Sequence, residues 1–210
     1  MIRLLDVAGR EVWYLAGSAP ASFLLGDERA GGILVNSPPF QPQLAEAVMR
    51  LARVQFIFYP SRRGAADVAQ WRSACAARTI AAVDEVGAIS GPIDEAIDAG
   101  VRIHGRLDFL ALPGRTRGTC ALRSKIEPAI VFFGPALEHA DWPQLVAHDD
   151  DYSYEDRLIG ALGLRDAAFE FGFCDNYSHG HSRFGPGASR VIAAGLAAVL
   201  ESDGDREEDH

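Results

Sequence analysis

Cysteine is scarce in this sequence: Cys75, Cys120 and Cys174 are odd in number, widely spaced and without a C-x-x-C pair. That pattern argues against a disulfide framework or a zinc knuckle, and it makes a reducing cytoplasm the expected compartment. Long hydrophobic runs are missing too. No stretch of about 18 apolar residues exists, and the N-terminal MIRLLDVAGREVWYLAG places Asp6 early without an unbroken apolar core of the signal-peptide kind. The expectation is an unexported chain with no membrane partner. There is no basic excess: the formal charge is −9, so a nucleic-acid partner, which calls for a net basic face, is not expected. No P-loop or G-x-G-x-x-G follows a strand-like run, which leaves nucleotide-cradle readings without support.

What is present suits one globular domain. The 210 residues are 48% hydrophobic and 23% charged, enough for a sizeable core. Charge is unevenly placed. Glu201, Asp203, Asp205, Glu207, Glu208 and Asp209 against Arg206 put −5 of the −9 on the last ten residues. We therefore read residues 1–200 as a single domain and 201–210 as an acidic tail, disordered because it has too little apolar surface to offset the entropy of ordering.

Short β-like runs come first, at Ile2 to Val7, Glu11 to Leu15, Ala21 to Leu25 and Gly31 to Asn36, punctuated by Gly, Pro and Ser at hairpin spacing. From Gln41 to Arg53, Leu44, Ala47, Val48 and Leu51 fall on one helical stripe. Ala65 to Ala77 repeats the pattern with Val68, Trp71 and Cys75. Between them lies the buried-type strand Val54 to Tyr59, and Thr79 to Val83 reads as another. Pro92 is placed to open a short helix. Strands resume at Val101 to His104, Leu107 to Leu112, Thr119 to Arg123 and Ala129 to Phe133; Glu138 to Tyr154 reads as an acidic loop, and Gly187 to Leu200 as an Ala-rich helix. This order predicts an α+β fold, two sheets packed as a sandwich with helices outside.

Two segments carry the most chemical information: VQFIFYPSRRGAAD from Val54 to Asp67, and LDFLALPGRTRG from Leu107 to Gly118. They resemble the metallo-β-lactamase superfamily at the places where that family writes a strand ending in T-H-x-H-x-D-H and a turn P-G-H-T-x-G. Ile33 to Ser37 is similar to its I-L-I-D-x-G strand, with Asn36 in place of Asp. Gly134 and Pro135 stand where it has Gly and a bridging Asp, and the Ser178 to Leu200 stretch resembles its closing P-G-H-G before a terminal helix. The resemblance implies an αββα sandwich. It also implies that most metal ligands have been replaced: Ser61, Arg63, Ala65, Ala66, Arg115 and Pro135 fall at ligand positions, and His179 is the one candidate retained.

The family's metals lower the pKa of a bound water to about 7 and polarise the scissile bond. One histidine supplies too few donors for that, and two fixed guanidinium charges repel a dication. No metal or other cofactor is therefore expected. Arg62, Arg63, Arg115 and Arg117, with His179, are instead candidates to bind a small anionic ligand, since guanidinium forks fit carboxylate and phosphate. The competing reading pairs these arginines with Asp67 or with Asp149, Asp150 and Asp151. A pseudoenzyme binding an anion or a protein partner is the leading expectation; a hydrolase using His179, Asp67 and Ser61, with Arg63 or Arg115 stabilising an oxyanion, is the alternative. His179 and His181 with Cys174 and Asp175 form a weaker metal candidate. Gly180 to Phe184 departs from a serine-nucleophile elbow at Phe184, where a second glycine is needed. A homo-oligomer through the aromatic segment Trp142 to Tyr154 is a further expectation.

Overall fold

The computed structural model describes residues 1–29, 31–98, 102–103 and 106–207, the side chains of 102–103 and 202–207 excepted. Four strands open the chain, β1 (Ile2–Val7), β2 (Arg10–Leu15), β3 (Ser22–Asp27) and β4 (Gly31–Val35), paired antiparallel in order. The chain then crosses through α1 (Pro42–Leu51) to β5 (Val54–Tyr59), and through α2 (Val68–Cys75) to β6 (Arg78–Ala82). A short helix, α3 (Val83–Val86), leads on to β7 (Glu95–Ile97). Strands β4 to β7 are parallel, and the seven strands form one sheet in sequence order.

The second sheet contains β8 (Arg102–Ile103), β9 (Leu107–Ala111), β10 (Cys120–Ser124) and β11 (Ile130–Gly134), all antiparallel neighbours. A small hairpin of β12 (Glu138–His139) and β13 (Pro143–Gln144) follows, then α4 (Tyr154–Leu162). Strand β14 (Phe171–Cys174) returns to pair parallel with β11, and α5 (Ala188–Glu207) closes the fold.

Alternation along the strands explains the layering. On β5, Phe56 and Phe58 point between the sheets while Ile57 and Tyr59 point outward under α1 and α2. On β11, Ile130 and Phe132 face the inter-sheet core and Val131 and Phe133 face α4 and α5. Strands covered on both faces read as continuous apolar runs, which is why β5 was legible in the sequence. The middle layer is aromatic: Phe23, Phe132, Phe173 and Tyr177 meet at centroid distances of 5.3 to 6.1 Å. The result is two sheets with helices on their outer faces, the α+β sandwich expected.

Differences from the sequence reading have identifiable causes. Helix α1 buries Ala45 and Val48, and Leu51 ends exposed because the helix stops there. The segment after Pro92 forms β7 rather than a helix. Asp94 accepts from Thr79 N (2.9 Å) and pairs with Arg72 (2.7 Å), which lays this stretch alongside β6. Helix α4 and strand β14 fall in a region given no element, and the acidic loop holds the β12–β13 hairpin. The backbone of α5 continues to Glu207, into the stretch expected to be disordered, because extending a formed helix adds one hydrogen bond for each residue fixed. Of the expected strand Val101 to His104, residues 102–103 form β8, while 101 and 104, like 208–210, lie outside the described residues.

Candidate functional site

The strand ends are sewn together at one edge of the sandwich. Asn36 N donates to Phe58 O (2.9 Å) and Ser37 N to Gly64 O (2.8 Å), tying the end of β4 to the turn after β5. Across the seam between the sheets, Cys120 N donates to Pro60 O (2.9 Å) and Ala21 N to Asp175 O (2.6 Å); within the second sheet, Asp175 N donates to Gly134 O (3.0 Å). Six segments are thereby fixed around a single opening.

Side chains lock these turns further. The buried carboxylate of Glu85 accepts from Arg62 N (2.7 Å) and Gly118 N (3.0 Å), joining the SRRG turn to the PGRTRG turn. Ser61 caps its own turn by accepting from Arg63 N (3.3 Å). Gly64 has no room for a Cβ, which would lie on the side-chain amide of Asn36. Gly114 combines a φ of 118° with a Cβ direction 2.3 Å from Ser153 O. Only glycine tolerates that conformation and that approach, so the N-terminus of α4 can close against the turn.

The opening is a cleft of about 450 Å³ lined by Ala19, Pro20, Arg63, Arg115, Pro135, Glu138, His148, Asp175 and Asn176. At its mouth, Arg63 Nη2 and Arg115 Nη1 hold the two oxygens of Asp150 at 2.7 and 2.6 Å. Arg115 is 8% exposed and Asp150 65%. Hydrogen bonds from Arg115 and then Arg63 draw the Asp150 carboxyl down to about 2. Beneath it, buried Asp151 pairs with Arg115 (3.2 Å) and Arg157 (2.6 Å), and Arg157 also donates to Val146 O (2.6 Å) and Ala136 O (3.0 Å). The acidic run is thus held from below by a buried guanidinium on α4.

The other wall is different in kind. Asp175 Oδ1 accepts from Asn36 Nδ2 (2.8 Å), which also donates to Ala21 O (2.8 Å). Asp175 Oδ2 is buried and has no hydrogen-bond partner among the described residues. Burial pushes this carboxyl up to about 7, with Glu138 adding to the rise and Asn36 and Arg63 opposing it. His148 Nε2 meets Glu138 Oε1 at 2.5 Å. Asn176 is held by the backbone of His139, at 2.8 and 3.0 Å.

Of the residues singled out in the sequence, the structure brings Arg63 and Arg115 together on Asp150, with Asp151 also on Arg115, which is the pairing of the competing reading, and it separates Arg62, Arg117, Asp67 and His179 from them. Arg117 is 67% exposed, pairs with Asp84 (3.2 Å) and lines a different cavity of about 220 Å³. Arg62 contributes its backbone to Glu85 and its side chain is outside the cleft lining. Asp67 faces away, accepting from Phe40 N (2.8 Å). His179 sits exposed at the tip of a turn closed by Ser182 N to Ser178 O (2.9 Å), again outside the lining. The combination of His179, Asp67 and an arginine is therefore not assembled, because the bonds that shape each turn point these side chains elsewhere. Sequence reasoning placed Asp175 only in a weaker metal candidate with His179, His181 and Cys174, and it missed Glu138, His148 and Glu85. Asp175 follows an apolar run, Phe171 to Cys174, and that run was the available signal.

A dinuclear metal centre does not fit these residues. Ser61, Arg63, Ala65, Ala66, Arg115 and Pro135 offer no set of neutral or anionic donors. Among the described residues, no group of three or more His, Cys, Asp or Glu side chains is disposed to hold a metal ion. No described helix is long and apolar enough to cross a membrane.

No protein-family model matches the sequence, and no curated protein matches it. Solved structures do. A Cronobacter sakazakii metallo-β-lactamase with an HARLDQ motif aligns over 95% of this chain and 93% of its own, with a TM-score of 0.65 and 15% identity. A mutant of that protein covers 100% and 99%, with a TM-score of 0.70 and 14% identity. A subclass B3 metallo-β-lactamase of Bradyrhizobium japonicum covers 99% and 95%, at 0.61 and 13%. The chain has the metallo-β-lactamase fold, divergent from it at most of the metal-ligand positions.

Proposed function

We propose that this chain uses the metallo-β-lactamase fold as a binding scaffold rather than a metallohydrolase, taking a small anionic ligand in its arginine-lined cleft. One observation carries the reading. Two guanidinium groups from separate turns, Arg63 after β5 and Arg115 after β9, converge on a single exposed carboxylate, Asp150. Asp150 is already gripped as a carboxylate ligand would be, from the solvent side of a cleft sized for a small molecule. An anion entering the cleft displaces it.

Titration calorimetry with acetate, succinate and inorganic phosphate tests this. Saturable binding is expected, weakened by about tenfold or more in Arg115→Ala, as loss of a charge-assisted contact entails. Absence of binding, or equal binding by the variant, would overturn the proposal. Stoichiometric zinc or iron in protein purified without chelator would overturn its non-metal aspect.

A further inference from the structure

The cleft is polar at both ends, and its two ends call for opposite charges. At the mouth, Arg63 and Arg115 hold an exposed carboxylate that solvent can take back. Asp175 lines the wall, and its carboxylate oxygen Oδ2 is buried and without a hydrogen-bond partner among the described residues. Its other oxygen is fixed by Asn36, and its backbone is clamped to Ala21 and Gly134. Asp175 therefore cannot swing away to find a partner. A buried acceptor left unpaired costs about 1 to 3 kcal/mol, and a ligand that donates to it recovers that cost.

We propose that the cleft recognises a small zwitterion, its carboxylate on Arg63 and Arg115 in place of Asp150 and its ammonium on Oδ2 of Asp175. This rests on the anion-binding reading above and adds the second pole. Charge balance supports it. Among the residues that line the cleft, the guanidinium groups of Arg63 and Arg115 share it with the carboxyls of Glu138 and Asp175, with His148 on Glu138, and an ammonium beside Asp175 favours its ionised form. A ligand of no net charge with separated poles leaves that balance intact. A simple anion leaves Asp175 unsatisfied and adds a negative charge to a wall that already carries Glu138 beside it.

The experiment is a matched series on the unaltered full chain: β-alanine, γ-aminobutyrate and ε-aminocaproate against propionate, butyrate and caproate, by titration calorimetry at neutral pH. One amino acid of matching length is expected to bind at least about tenfold more tightly than its carboxylate counterpart, as an added charge-assisted hydrogen bond provides. In Asp175→Asn that ratio is expected to fall to near unity. Equal binding of both classes in the unaltered chain overturns the second pole while the anion site stands. Binding by neither class removes the anion site and the second pole together. The ratio in the unaltered chain decides the matter even where the variant does not fold.

Discussion

Asp150 and Asp175 face the same cleft and sit at opposite extremes. Asp150 is on an exposed loop yet is drawn down to about 2, since two arginines from neighbouring turns grip it. Asp175 is at a strand end, fixed by Asn36, yet is pushed up to about 7 because burial outweighs the pull of Arg63. Exposure alone would leave Asp150 near the ordinary carboxylate range; partners overrule it. Asn36 is a partner of Asp175 too, but one neutral amide does not outweigh desolvation. The cleft thus keeps its charge-neutralising contacts at the mouth and its unmet acceptor inside.

The comparison breaks most severely if the loop loses its anchor. Arg157→Ala strips Asp151 of the nearer of its two buried partners, leaving Arg115 at 3.2 Å, and leaves Val146 O and Ala136 O without their guanidinium donors, so unfolding in urea should show a loss of about 3 kcal/mol. Next comes the Asp175 wall. Its unfolded carboxyl titrates near 3.8 and its folded one near 7. Between those values the unfolded chain has released a proton that the folded chain keeps, so stability falls as pH rises through this window. The total is up to about 4 kcal/mol. Chemical denaturation across pH 4 to 8 should show this decline in the unaltered chain and a flatter profile in Asp175→Asn; an unchanged profile would remove the contrast between the two carboxyls.

Asp150 contributes with the opposite sign, its stabilisation present above the ordinary carboxylate range and lost as pH falls toward 2. Removing its charge sharpens the mouth: Asp150→Asn should raise the affinity for acetate or phosphate about threefold or more by abolishing an internal competitor, with stability moved by less than about 1 kcal/mol. Calorimetric titration of the variant checks the first and thermal unfolding the second. The smallest effect is expected for Arg117→Ala, whose guanidinium pairs with Asp84 away from the cleft. Anion affinity in that variant should match the unaltered chain, which separates specific grip by Arg63 and Arg115 from a general gain in positive charge.

Much of the fold was readable because it is written in local signals. Residues buried on both faces make continuous apolar runs, as in Val54–Tyr59, and turns needing glycine keep it, as Gly114 does. The order of sheets and helices followed from those signals, and so did the positions of Arg63 and Arg115 at strand ends. Strand β14 was missed because four residues broken by Gly172 carry too little pattern, and with it went the place of Asp175 at a strand end on the cleft wall. The sequence by itself determined the α+β sandwich and the replacement of metal-binding side chains by arginine, serine and alanine. Only the tertiary structure decided which arginines act together, since residues 63 and 115 meet Asp150 through turns joined by Glu85 rather than through any spacing along the chain. It alone also decided that Asp175 is unpaired, because burial and hydrogen-bond partnership are properties of the seam between two sheets, which no single segment contains.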